Sequence, residues 1–270
     1  MIKKIIVPTD LTKAAEMALR QAIAIALNSG SRITLFHVFT RHDDDAGDTL
    51  AKLATIAEGV RQERGIPCEV LVKEGEVLPA IASMVAEKEY DLMVIGTHGF
   101  MGIRQKLFGA DILKLVSVIP IPVMVVQQES PLVESFHKLI LPVSSHANFI
   151  EAVESVIEFA AIFPAEVHLY SIHKAGFEWP EQLLANITEA TRMFEQKGVR
   201  MLRIREEQEG YSPGYARQTI RYARTIGADA LWMMSSASAE YYSFARDYKE
   251  TLLLNEFLVP VVCVGGIAGS

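Results

Sequence analysis

Short apolar runs recur along this chain, and between them lie longer segments whose apolar residues return every three to four positions. The first run is Lys4-Ile5-Ile6-Val7-Pro8, and the same opening comes back as Lys138-Leu139-Ile140-Leu141-Pro142. A brief, nearly unbroken apolar run closed by proline suits a strand buried on both faces of a parallel sheet. A helical period follows each opening. Over residues 12 to 28 it places Ala15, Leu19, Ala22 and Ile23 on one face, and over residues 147 to 163 it does the same for Val153, Val156, Ile157 and Ala160.

The two halves stay in step to their ends. Second strands are expected at residues 33 to 38 and 167 to 172, then helices over about 48 to 64 and 180 to 197. Third strands follow at 68 to 72 and 199 to 204, then helices over 76 to 88 and 214 to 226. The fourth strands each open on an aspartate, Asp91-Leu-Met-Val-Ile95 and Asp229-Ala-Leu-Trp-Met233. The fifth are led by proline, Pro122-Val-Met-Val-Val126 and Pro260-Val-Val-Cys-Val264. Regular alternation of strand and helix predicts an α/β fold, a mainly parallel sheet with helices on both faces, built twice in tandem. The polar, proline-containing stretch from Gln127 to His137 is the expected linker, which divides the chain into domains at 1–128 and 136–266.

Candidate chemistry concentrates after the fourth strand of the first half. Gly96, Gly99, Gly102 and Gly109 fall within fourteen residues and lead into a helix expected from Ala110 to Val118. Glycines there let backbone N–H groups approach an anion, and the helix N-terminus adds partial positive charge. Glycine-rich loops also serve as plain turns, so composition alone leaves both readings open. Position favours the anion, because ligands of doubly wound sheets bind outside the carboxyl ends of the strands where the strand order reverses. If the first and fourth strands flank that point, Pro8, Thr9 and Asp10 face Ile95 and Gly96 across it.

These residues resemble the universal stress protein family. Its nucleotide-binding members carry a glycine, two residues, a glycine, nine residues and a further glycine followed by serine or threonine, and Gly96, Gly99 and Gly109 match that spacing. The resemblance covers the whole chain as a tandem, with the specific motif in the first half only. It implies two open five-stranded parallel sheets of strand order 3-2-1-4-5, the fold of the adenine nucleotide alpha hydrolases. It also implies ATP between the first and fourth strands, Asp10 at the adenine and ribose, Val38 against the adenine ring, and His98 as a loop residue beside the ligand. Ala110 departs from the pattern. The missing hydroxyl removes a hydrogen bond to phosphate worth about 1.5–3 kcal/mol, which keeps ADP and AMP as competitors to ATP. Asp111 adds a negative charge there, as a Mg²⁺ ligand, a source of repulsion or a helix cap.

The second half lacks these features. Ser144 stands where Asp10 does, and Met234-Ser235-Ser236 stands opposite Gly96-Thr97-His98. The segment from Ala237 to Arg246 contains no glycine, so no ATP is expected in this half.

Charge and composition narrow the rest. The net charge of −7, from 33 acidic against 26 basic residues, argues against nucleic acid and anionic lipid as partners. The apolar stretch after the two N-terminal lysines is too short for a signal-peptide core, and the reading is cytoplasmic. Cys68 and Cys263 form no CxxC or Cys/His pattern and are expected to be buried thiols. The aspartates in His42-Asp-Asp-Asp45 lack converging ligands, so a solvated loop is expected rather than a metal site. No general base, GxxxxGK[ST] lysine or triad is found. The leading expectation is an adenine-nucleotide-binding stress or signalling module whose halves pair as a pseudo-dimer through their last strands, with homodimers as a further option. A slow ATPase and a nucleotide-free scaffold are the alternatives.

Overall fold

The computed structural model describes residues 1–40, 46–98, 109–208, 215–235 and 242–265, with the backbone alone at 109–111 and 242–247. The first half runs β1 (Lys4–Pro8), α1 (Lys13–Ser29), β2 (Arg32–Phe39), α2 (Ala46–Arg64), β3 (Cys68–Glu74), α3 (Val77–Glu87), β4 (Leu92–Thr97), α4 (Gly109–Val118) and β5 (Val123–Gln127). The second repeats it as β6 (Lys138–Pro142), α5 (Phe149–Ile162), β7 (Glu166–His173), α6 (Glu181–Lys197), β8 (Met201–Glu207), α7 (Tyr215–Ile226), β9 (Ala230–Met234), α8 (Tyr242–Leu253) and β10 (Val261–Val264).

Within each half the strands are parallel, in the order β3-β2-β1-β4-β5 and its counterpart β8-β7-β6-β9-β10. The two sheets do not end separately. β5 and β10 pair antiparallel, Val261 with Val125 and Cys263 with Val123, so the described strands make one sheet of ten. Both strands are buried along their length, which removes two apolar edges that would otherwise template aggregation.

Side chains alternate across the sheet and fill two cores. Ile5, Val7, Leu92 and Val94 face the layer of α1, α2, α5 and α6, whereas Ile6, Met93 and Ile95 face that of α3, α4, α7 and α8. Each core runs through both halves. At the amino-terminal end of the strands the repeat holds to the atom. Asp91 Oδ2 accepts from the backbone N–H groups of Lys3 and Lys4 at 2.8 and 2.9 Å. Asp229 Oδ2 accepts from those of His137 and Lys138 at 2.7 and 2.8 Å.

Element boundaries shift modestly from the sequence expectation. α5 starts at Phe149 rather than 147, because buried Asn186 of α6 donates to the carbonyls of Ser144 and His146 at 2.7 and 3.0 Å and ties that turn down. β8 extends to Glu207, paired with His173. The connection between halves begins as strand at Gln127 and is anchored. Gln21 donates to the Val133 carbonyl at 2.8 Å and accepts from its N–H at 3.1 Å. Phe136 is fully buried against Phe159 and Phe163, with ring centroids 4.8 Å away in each case.

Candidate functional site

β1 pairs with β2 on one side and β4 on the other. The order reverses between β1 and β4, where the fold places its ligand crevice. Ile6 lies opposite Met93, and two residues further along the same register Pro8 reaches the level of Ile95. Pro8, Thr9, Asp10, Ile95, Gly96 and His98 are thereby brought to one end of the sheet.

The turn after β1 is tightly specified. Asp10 is exposed, and its Oδ1 accepts from the Thr12 N–H at 3.1 Å and the Thr12 hydroxyl at 2.6 Å. Thr12 Oγ1 in turn accepts from the Ala15 N–H at 3.3 Å, as the N-cap of α1. Both bonds fall on Oδ1, so this turn does not engage Oδ2. Leu11 adopts a φ of 62°, uncommon for a leucine, and its N–H donates to Thr9 Oγ1 at 3.2 Å. On the neighbouring strand, buried His37 lies 2.7 Å from the Thr9 carbonyl through Nδ1. A carbonyl only accepts, so Nδ1 carries the proton.

Gly96 has a packing role that its place in a glycine-rich loop concealed. A Cβ built there would lie 2.0 Å from the Ala14 carbonyl oxygen and 2.3 Å from its carbon. The absent side chain lets the first turn of α1 rest directly on β4. His98 Nδ1 meets Gln128 Oε1 at 3.1 Å, an amide that orients the ring rather than an acid that would activate it. Gly99 and Gly102 lie outside the described residues. Gly109 opens α4, and Ala110 and Asp111 form its first turn, with their side chains outside the description.

Val38 and Ile95 are both buried in the core on the α3 and α4 face, packed with residues such as Phe36 and Ile81. Beside Leu11, on the other face, a cleft of about 450 Å³ opens against Ala51, Lys52, Thr55 and Ile56 of α2. That volume falls within the roughly 300–1,000 Å³ of small-molecule sites. Leu11, His37 and the α2 residues went unnoticed or unassigned in the sequence, where nothing marks a leucine for positive φ or a half-exposed helix face for a cleft. Lys52 is ion-paired with Asp48.

No cluster of three His, Cys, Asp or Glu residues suited to a metal occurs among the described residues. The aspartates at 43–45 lie outside them. The side chain of Asp111, the carboxylate that the sequence offers to Mg²⁺, lies outside the description. Cys68 and Cys263 are free and buried, and burial pushes their thiols up to about 11 and about 12. No helix among the described residues is long and apolar enough to cross a membrane.

The corresponding end of the second half is closed differently. Met234, in place of Gly96, is buried in the core beneath α5. The Lys249 ammonium donates to the Ser235 carbonyl at 2.5 Å, and burial brings its pKa down to about 8. Residues 236–241 lie outside the description.

Residues 1–127 match the model of the universal stress protein family. A universal stress protein from Thermus aquaticus is 29% identical over 137 residues, 47% of this chain and all of that one. One from Synechocystis is 24% identical over 135 residues, covering 47% of this chain and 86% of its own. The crystal structure of a universal stress protein from Archaeoglobus fulgidus superimposes with a TM-score of 0.72 at 15% identity, covering 98% of both chains.

Proposed function

We propose, from the premise that the chain is a UspA-like protein in tandem form, that its first half binds an adenine nucleotide at the carboxyl ends of β1 and β4 in a stress-response role. The two domains of this reading are residues 1–128 and 136–266. The observation that carries it is the approach of α1 to Gly96. That approach brings the α1 N-terminus, which follows Asp10, against the start of the glycine-rich loop, and α4 opens at the far end of the same loop, which supports one site formed by all three. Asp10 Oδ2 would take the ribose or adenine, and the backbone N–H groups around Gly99 and Gly109 the phosphates. Mg²⁺, where bound, would neutralise phosphate charge, with Asp111 as the carboxylate that the sequence offers beside the phosphates. ATP is the expected ligand. The alanine at 110 supplies no hydroxyl to the terminal phosphate, which narrows the margin over ADP and AMP.

The second half serves in this reading as the fixed partner of a pseudo-dimer. Met234 and the glycine-free stretch after it support its being nucleotide-free.

Mass spectrometry of nucleotide retained by the purified protein, then titration with ATP, ADP and AMP, tests the proposal. Saturable binding of at least one of them is expected, and absence of binding at millimolar concentration would end it. Steady phosphate release abolished by Asp10→Ala would turn the reading to an ATPase.

A further inference from the structure

We propose that the second half carries a binding site of its own for a small oxyanion, at a pocket between β6, β7, β8 and α6. The pocket measures about 90 Å³, and its walls include Val143, Ser171, Trp179, Ile187, Arg203 and Arg205. It is therefore sized for a phosphate or a small carboxylate, not for a nucleotide.

Three features give it that chemistry. First, β8 pairs with β7 so that Arg203 lies opposite Leu169 and Arg205 opposite Ser171. The two guanidinium groups, two residues apart, share the face on which the pocket opens. Second, the Trp179 indole Nε1 is enclosed and has no hydrogen-bond acceptor among the described residues. A buried N–H left unpaired is costly, and an oxyanion seated in the pocket would supply the acceptor. Third, the Arg205 guanidinium lies over the Trp179 ring, 5.0 Å from its centroid, which holds a planar donor fork at the pocket wall. The acidic competition is slight. Arg205 meets Glu207 at 3.4 Å as an exposed pair, and Glu207 is also engaged by His173 at 2.8 Å.

The first half offers a direct contrast. At the matching places on β3, opposite Leu35 and His37, stand Val70 and Val72. The positive charge is thus a property of the second copy, within a chain that is acidic overall. The pocket also lies toward the β8 edge of the sheet, in the other half from the glycine-rich loop.

Fluorescence of the full chain tests this, because Trp232 is fully buried and bonded to Ser155, leaving Trp179 as the responsive indole. Sodium phosphate and sodium acetate are titrated separately at an ionic strength held constant with sodium chloride. A saturable change is expected. With phosphate alone it identifies a phosphoryl ligand, with acetate alone a carboxylate, and with both a general oxyanion site. Arg203→Gln and Trp179→Phe, the latter read by calorimetry, should each weaken binding about tenfold, whereas Gly109→Val should leave it unchanged. Arg203→Lys keeps the charge and should fold normally while still weakening binding through loss of the fork. No saturable change with either anion, or an affinity indifferent to Arg203→Gln and Arg203→Lys, would show the pocket to be a gap in packing.

Discussion

Gly96 lies directly beneath Ala14, with no room for even a methyl group between β4 and the first turn of α1. Gly96→Ala should therefore displace backbone, not a pliable side chain, and cost about 3 kcal/mol. Gly109→Val should abolish nucleotide binding and leave the urea midpoint close to wild type. Paired denaturation and titration curves check both, and equal stability of the two variants would remove the distinction.

Asp10 has two duties that substitution separates. Asp10→Asn keeps the Oδ1 acceptor for Thr12 but discards the charge, so stability should hold while nucleotide affinity falls about tenfold. Asp10→Ala should lose the same affinity and about 1 kcal/mol of stability as well, through the broken turn. Chemical denaturation beside calorimetric titration reads each effect.

The fully buried Gln21 amide satisfies both backbone groups of Val133. Gln21→Leu should cost about 2–3 kcal/mol, since it strands a donor and an acceptor on the connecting segment. Increased proteolysis between residues 128 and 137 is the accompanying expectation, checked by limited digestion and mass spectrometry.

Lys249 gives a pH signature. Its pKa falls from 10.5 to about 8 through burial, so between those values the unfolded chain binds the proton more than the native one. Stability from this group therefore rises with pH from about 8 to 10.5 and is absent below 8. Cys263 works the other way at high pH, its thiol being held up at about 12, chiefly by burial. The difference between wild type and Lys249→Met isolates the lysine. That difference should change in the wild type's favour across this window, as followed by urea denaturation at several pH values.

Much of this architecture was legible because parallel strands buried on both faces leave short apolar runs, and the repeated run before Pro8 and Pro142 disclosed the duplication. The aspartates opening the fourth strands, Asp91 and Asp229, were visible as markers, although their grip on the start of β1 and β6 was not. The site was legible as a place rather than a set of contacts. Asp10 and Gly96 come to the same end of the sheet, where Gly96 also seats the first turn of α1, while Val38 packs in the core. Such roles depend on which face of the sheet a residue occupies and how closely a helix approaches, and neither follows from spacing along the chain. Nothing in the sequence marks the Arg203 and Arg205 pair on its edge strand, because Trp179, more than twenty residues earlier, comes beside it only in the fold.

The antiparallel join of β5 to β10 bears on how the protein responds to its own abundance. Two separate copies pairing through such strands would come apart on dilution, and their pairing would track expression level. Here both strands belong to one polypeptide, so the encounter is unimolecular and set by tether geometry. A few molecules per cell would carry the same joined sheet as an overexpressed pool, and whatever one half binds is always presented beside the other.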